Sequence, residues 1–506
     1  MRLLRSFCSS LALLGATATA QSTIQVPQDQ PTIQAGIAAA VDGDTVLVAP
    51  GTYVEQIEYL GKAITVRSSG GAAVTTIDSQ GMDNWFDFPF GPVVRFVDGE
   101  GSSSVLEGFT ITGGQHNGSG SAGHSGVWCD GLSPTIRDCV IQGNNGGQGG
   151  GLYGNATVER CQILNNTATP YGPGGGVYGA PTISDSVISG NASGDRGGGL
   201  YLTGPATITN TVIEDNTAGN GFDGYTGGGA FGPGTFLGCV IADNTANHYL
   251  SGGPPDVIAT AVDGAALLSF CTVVGNRIGN PQPGDPGGAV SAAVIENSIL
   301  WGNENQPFAN GVTGTVSYSI VTGGVAGTGN SGADPLFRDA AGGDYFLQLG
   351  SPAIDAGDPS AANDPDGTRA DVGALFFPQF LADVTSRNGS GANPTCYTTG
   401  DLPVIGTTMS FDVDATAHGL PATLTFLVFY LDAPPVPIPT AFGEILVDPF
   451  SGQVATSTAA VVGGSSTHGV SIPLDYSLGG CFFPSQAIVF GGGVGLCNAL
   501  DVLIGL

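Results

Sequence analysis

The 506 residues include 42 acidic against 12 basic side chains, for a formal charge of −30, a surface that repels nucleic acid and anionic membrane and excludes both as partners. Charged residues make up only 11% and apolar ones 41%, which is enough apolar material to bury a core and argues against disorder. After the N-terminal run no segment offers the roughly twenty uncharged apolar residues of a membrane span, so no transmembrane helix is expected.

In chain order, Arg2 and Arg5, the apolar run through Leu11, Leu13 and Leu14, and Ala18-Thr19-Ala20 before Gln21 are laid out as a cleaved secretory signal over residues 1–20. The mature chain is therefore expected to be secreted, extracellular or at the cell surface. Ile33, Ile37 and Val41 recur every four residues in an Ala-rich run and predict a short amphipathic helix able to cover the first coil of a stacked body. Val46 and Val48 then point one way along a strand, with a turn at Pro50-Gly51.

From about Val93 the sequence repeats. Asn144, Asn166, Asn191, Asn216, Asn244, Asn276 and Asn303 recur at gaps of 22, 25, 25, 28, 32 and 27. Eight residues before each stands an apolar residue: Ile136, Val158, Ile183, Ile208, Phe236, Leu268 and Ile295. Three before stands another: Ile141, Ile163, Ile188, Ile213, Ile241, Val273 and Leu300. Five before, the column is small or thiol-bearing, running Cys139, Cys161, Ser186, Thr211, Cys239, Cys271 and Ser298. A unit this short cannot bury its own apolar face, so the units must stack, with the variable gaps absorbed in loops. Asparagine is expected to take a left-handed turn there and to bond the asparagines above and below. Glycine triplets such as Gly174-Gly175-Gly176 and Gly197-Gly198-Gly199 mark the other corner of each coil.

The segment Thr32 to Arg67, with Asp42-Gly43-Asp44-Thr45-Val46 and Pro50-Gly51-Thr52-Tyr53, resembles the opening of pectin-lyase-like right-handed parallel β-helix proteins, and the coils from Val93 to Val321 resemble that superfamily's repeats. Asp334-Pro335-Leu336-Phe337, Ser351-Pro352-Ala353-Ile354-Asp355 and Asp371-Val372-Gly373-Ala374 resemble the closing segment of large secreted bacterial β-helix proteins. The resemblance implies an all-β right-handed solenoid over residues 21–375. After it the columns vanish, and residues 383–506, with stretches such as Thr423 to Tyr430 broken by Gly and Pro, read as an antiparallel β-sandwich-like domain.

The resemblance also raises lyase, hydrolase and esterase chemistry, each needing residues of a particular kind. Only Lys62 and a few arginines could serve as a base, and among the coils Arg137, Arg160 and Arg196 are the candidates, of which Arg137 reads as a solvated face residue. Asp185 and Asp215 are isolated and read as turn residues, and His116 and His124 lack nucleophile-elbow spacing. Catalytic residues: none are assigned. Trp128, Tyr153, Tyr178, Tyr201 and Phe231, each two residues after a corner glycine, form an outward aromatic column. Such a column is either a saccharide strip or a set of rings that stack and hide their faces, with terminal Trp128 best placed to keep a face free. Asp364, Asp366 and Asp371 crowd a short loop that reads either as turn caps or as a structural calcium site. Cys139/Cys161 and Cys239/Cys271 are ladder neighbours, either thiols or bonds, and Cys481–Cys497 is the expected disulfide, with Cys396 the alternative partner.

The expected function is a monomeric, non-catalytic protein that binds polysaccharide or a cell-surface component, with the last domain serving attachment. A carbohydrate-active lyase or hydrolase acting on acidic polysaccharide, and a structural envelope protein, are the alternatives.

Overall fold

The computed structural model describes residues 21–80, 91–115, 126–129, 131–168, 171–219, 227–247, 259–279, 288–304, the backbone of 306–308, 314–379, 382–473, 478–479 and 481–505. The signal over residues 1–20, and His116 and His124, lie outside them. The described chain divides into two compact units: one runs to Ala362 and takes in Arg369–Phe376, and the other joins Asn363–Thr368 to the residues from Phe377 onward.

In the first unit, Thr32 caps the helix Ile33–Ala39, accepting from Ala35 N at 3.1 Å. The Glu55 carboxylate accepts from Ile33 N and Gln34 N at 2.9 Å each, placing negative charge on the free N–H groups of the first turn. Ile33 and Ile37 are buried, and a Cβ on Gly36 would come within 2.8 Å of Val46, so the helix lies close on the first strands. The helix stops at Ala39, before the third of its expected apolar residues, so Val41 is 56% exposed rather than on the covering face.

The body is built from parallel ladders. The apolar columns pair in register as read: Ile136 with Val158, Ile183, Ile208, Phe236, Leu268 and Ile295 in turn. Ile141 pairs likewise through Ile163, Ile188, Ile213, Ile241 and Val273 to Leu300. All are at most 1% exposed, each side chain worth about 2 kcal/mol of burial. The first column lies in a sheet where two ladders run side by side, joined where Ala259–Ser269 and Gly288–Glu296 span both. The second column lies in a separate all-parallel sheet from Gly51–Tyr53 to Ile320–Val321. A third sheet of short strands runs from Asn145–Gly146 to Arg277–Gly279.

Between the second and third sheets stand the repeating asparagines. Each side-chain Nδ2 donates to Oδ1 of the next at 2.9–3.1 Å from Asn144 to Asn303. The same Oδ1 accepts from the preceding asparagine's backbone N–H. The left-handed residue, however, is not the asparagine but the one before it: Gly143, Asn165, Gly190, Asp215, Asp243, Gly275 and Gly302 all have φ between 52° and 68°. The amide must face inward along the axis to reach its neighbours, so the preceding residue makes the turn. At the other corner, the first glycine of each triplet is left-handed (Gly197, φ 67°). The last admits no side chain: a Cβ on Gly199 would lie 2.6 Å from Gly229 O.

The stacked cysteines are thiols, with Cys139 N donating to Cys161 Sγ at 3.5 Å. The closing segment lies along the body as well as past its end. Asp358 N donates to Asn297 Oδ1 at 2.6 Å, and Ala374 N to Thr272 Oγ1 at 3.0 Å.

The second unit is antiparallel. One sheet runs, in order, Asp383–Arg387, Val494–Leu503, Phe482–Gly491, Ala422–Tyr430 and Gln453–Ala460. A second joins Tyr397–Thr399, Thr408–Asp414 and Ser465–Ser471. Their facing sides share one core, with the Phe411 ring edge-on to Phe429 across the gap at 5.5 Å, which makes the unit a small sandwich.

Candidate functional site

The outward row of the first sheet carries the aromatic column. Arg95, Trp128, Tyr153, Tyr178, Tyr201 and Phe231 are register partners on consecutive coils, continued by Glu58 before Arg95 and Asp263 after Phe231. Val127, Leu152, Val177, Leu200 and Ala230 beside them are wholly buried, so the rings face out. Parallel in-register strands bring like side chains together at the strand spacing. Tyr153 and Tyr178, and Tyr178 and Tyr201, stack with centroids 5.2 Å apart and planes within 8°, and Tyr201 and Phe231 follow at 5.1 Å. The faces of the inner tyrosines are thus spent on one another. Burial pushes the Tyr178 phenol up, with Tyr153 and Tyr201 adding to it.

The ends of the row are covered by cations. Arg196 lies 5.0 Å over Phe231 and Arg95 lies 5.2 Å over Trp128. The Trp128 face expected to be free is therefore shared with a guanidinium, because Arg95 is its partner on the preceding coil. What the row offers outward is ring edges and the hydroxyl tips of Tyr153, Tyr178 and Tyr201, since side chains stand perpendicular to a sheet.

At the head of the row Arg95 Nη1 reaches Glu58 Oε2 at 3.2 Å, both largely buried. Burial pushes the Glu58 carboxyl up. Arg95 opposes this, while Asp98 beside it, and Glu100, add to it. Glu100 is itself fixed, accepting from Gly61 N at 2.8 Å and Asp98 N at 2.7 Å. Sequence reasoning missed this group of carboxylates with a basic residue, although the signal was available: Arg95 follows buried Val94 as Trp128 follows buried Val127.

The three coil arginines singled out in the sequence are engaged, Arg196 over the Phe231 ring as above. Arg137 points outward and pairs with Glu107 at 2.7 Å, and Arg160 grips Asp138 through Nε and Nη2 at 2.8 and 2.9 Å. Asp185 and Asp215 occupy left-handed turn positions, φ 50° and 54°. A second acidic group also escaped the sequence: Tyr345 donates to Asp243 Oδ2 at 3.1 Å, and burial, then Asp215 and Asp243, push the Glu214 carboxyl up.

Residues 96–262 match the family model described as the right handed beta helix region. The body is a right-handed parallel β-helix. Among solved structures, a pectin methylesterase mutant in complex with a hexasaccharide is 11% identical, covering 60% of this chain and 78% of that one at a TM-score of 0.21. A PL6 family alginate lyase is 10% identical, covering 68% and 54% at a TM-score of 0.23. Values this low leave the activities of those proteins with those proteins. No curated protein sequence matches. Among the described residues no helix is long and apolar enough to cross a membrane.

The acidic residues of the loop make contacts with nearby backbone groups. The Asp366 carboxylate is partly buried, which would raise it, but N–H groups of Gln379 (2.6 Å) and Thr368 (3.0 Å) and the Thr368 hydroxyl hold it below the usual range. Asp364 closes the same turn, its carbonyl accepting from Gly367 N at 2.9 Å. Asp371, buried in the first unit, accepts from Asp355 N at 2.7 Å. In the sandwich the disulfide is Cys396–Cys497, with Cα atoms 5.5 Å apart, and not the expected Cys481–Cys497. The hairpin register forbids the latter. Phe482 pairs with Leu503, and Cys481 O accepts from Ile504 N, so Cys481 and Cys497 sit about 24 Å apart along the ladder at roughly 3.4 Å per residue.

Proposed function

We propose that this chain is an exported, non-catalytic β-helix that binds an extended polysaccharide along the outer row of its first sheet, the sandwich serving attachment. The observation that carries this reading is the run of tyrosine hydroxyls at Tyr153, Tyr178 and Tyr201. Their rings stack with centroids 5.2 Å apart, so one hydroxyl is presented per coil at roughly the strand spacing, on the order of the length of one sugar in an extended β-linked chain. A phenol hydroxyl both donates and accepts, so the row can meet successive sugar hydroxyls edge-on although its ring faces are hidden.

The test is retention of the mature protein on a panel of insoluble glycans. The triple variant Tyr153→Phe/Tyr178→Phe/Tyr201→Phe keeps the stack and removes the hydroxyls. Three lost hydrogen bonds of about 1 kcal/mol each predict a roughly hundredfold loss of affinity. Retention unchanged in the triple variant removes the row from consideration.

One observation favours a second reading, a carbohydrate-active enzyme. Burial raises the Glu58 carboxyl above its ordinary value, beside Asp98 and with Arg95 at 3.2 Å at the head of the same row, which suits a proton donor facing a carboxylate. Release of soluble sugars by the wild type, abolished in Glu58→Gln, would establish that reading and remove the non-catalytic one.

A further inference from the structure

The sandwich holds a constellation that the glycan-binding proposal does not use. His418 ends the short helical turn Ala415–His418, closed by the left-handed Gly419. Its Nε2 lies 3.4 Å from Cys396 Sγ and 3.6 Å from Cys497 Sγ. The ring rests on the backbone at Gly495, where a Cβ would clash with Nδ1. Three separate segments thus converge on one point: the residue before Tyr397–Thr399, the helical turn, and the last long strand. Among the described residues this is the only set of three metal-capable side chains whose ligand atoms all lie within 4.8 Å of one another.

We propose that Cys396, His418 and Cys497 form a zinc site whenever the disulfide is open, so that the S–S bond and the metal are alternative clasps on the same sandwich. The geometry is close to that required. Zinc bonds of about 2.1 Å to nitrogen and about 2.3 Å to sulfur in a tetrahedron put nitrogen and sulfur about 3.6 Å apart. The imidazole already stands at that distance from both sulfurs, and only the sulfurs must separate, by side-chain rotation on α-carbons 5.5 Å apart. A dithiol reductant opens the bond: two electrons and two protons pass to Cys396 and Cys497, giving two thiols, and the reductant leaves as its own disulfide. Zn2+ then takes the place of the two thiol protons, which go to solvent, so binding strengthens with pH. Three protein ligands leave a fourth position for water or an incoming group. Both cysteines are buried and the half-exposed His418 marks the side from which metal arrives.

The test uses the full mature chain, reduced with a dithiol, freed of it without oxygen, and titrated with Co2+ as the spectroscopic stand-in for Zn2+. The expected result is about one Co2+ per chain with tetrahedral visible bands and a thiolate charge-transfer band, competed away by Zn2+. The signal is absent from the oxidised chain and from Cys396→Ser, weakened about tenfold or more in His418→Ala, and unchanged in Cys481→Ser. Reduction also loosens the sandwich, so near-UV circular dichroism is followed in parallel, and Zn2+ is expected to restore the folded signal. No cobalt signal in the reduced wild type overturns the proposal. So does a signal undiminished in His418→Ala, and so does a reduced sandwich that unfolds and stays unfolded with Zn2+ present.

Discussion

The two units solve the same problem of holding β-strands together by opposite means. In the β-helix every coil repeats the contacts of the one before, so each isoleucine or asparagine is one rung of a ladder and no single pair closes the structure. In the sandwich each contact occurs once, and one covalent bond, Cys396–Cys497, ties residues 101 apart in sequence. Local redundancy and a single long-range clasp should therefore fail differently.

The largest expected effect breaks the clasp. The double variant Cys396→Ala/Cys497→Ala releases the closed loop, worth about 4–5 kcal/mol in chain entropy. Calorimetry of the full chain should show the sandwich transition fall steeply while that of the β-helix stays in place. Next is one rung of the ladder. Asn191→Ala removes Oδ1, which accepts from Asn166 N and Nδ2, and Nδ2, which donates to Ile163 O and Asn216 Oδ1. The buried groups left behind cost about 3 kcal/mol, and denaturant unfolding should show that loss in the β-helix alone.

Acid should sharpen the contrast further. In the sandwich unit Asp366, Asp414 and Glu444 are all lowered, Asp414 by Thr416 and Glu444 by Ser390. In the other unit Asp44 and Asp358 are lowered but Glu58 and Glu214 are raised. A lowered carboxylate stabilises the fold above its unfolded value, 3.8 for Asp and 4.5 for Glu, and that stability is lost as pH falls through the folded value. A raised carboxyl contributes at low pH and loses its contribution as pH rises through its folded value. Between about pH 5 and pH 3 the sandwich should thus melt first, as two-wavelength melting curves would show. The smallest expected effect is that of calcium. With the Asp366 and Asp371 carboxylates already bonded to N–H groups, EDTA should move either transition by about 1 °C or less; a clear rise on adding calcium would return Asp364, Asp366 and Asp371 to the role of ligands.

The same contrast explains what could be read from the sequence. Columns at fixed phase revealed the register of Ile136, Ile141 and Asn144 with their successors, because in a parallel stack like side chains meet like. The phase did not say which residue of the corner turns left-handed, since Asn165 and Asn166 are chemically alike and only the inward reach of the amide tells them apart. Cys481 and Cys497 were mismatched because an antiparallel hairpin has no column, and its register depends on how sharply the chain turns between Gly491 and Val494. Glu58 and Arg95 went unnoticed because the coils around them are irregular, although the alternation beside Val94 would have added Arg95 to the aromatic row.

The asparagine column has one more property, which is polarity. In the amide-to-amide bonds, each side chain from Asn144 to Asn276 donates to the Oδ1 of the later coil, and each Oδ1 accepts from the earlier one, beginning with Gly114 N on Asn144 Oδ1 at 2.9 Å. Their dipoles therefore add head to tail instead of cancelling, as peptide dipoles do along an α-helix. The column is a small permanent electret within the body, its positive pole toward Asn303. Coils can be spliced in or removed only in the one orientation that keeps every donor facing an acceptor.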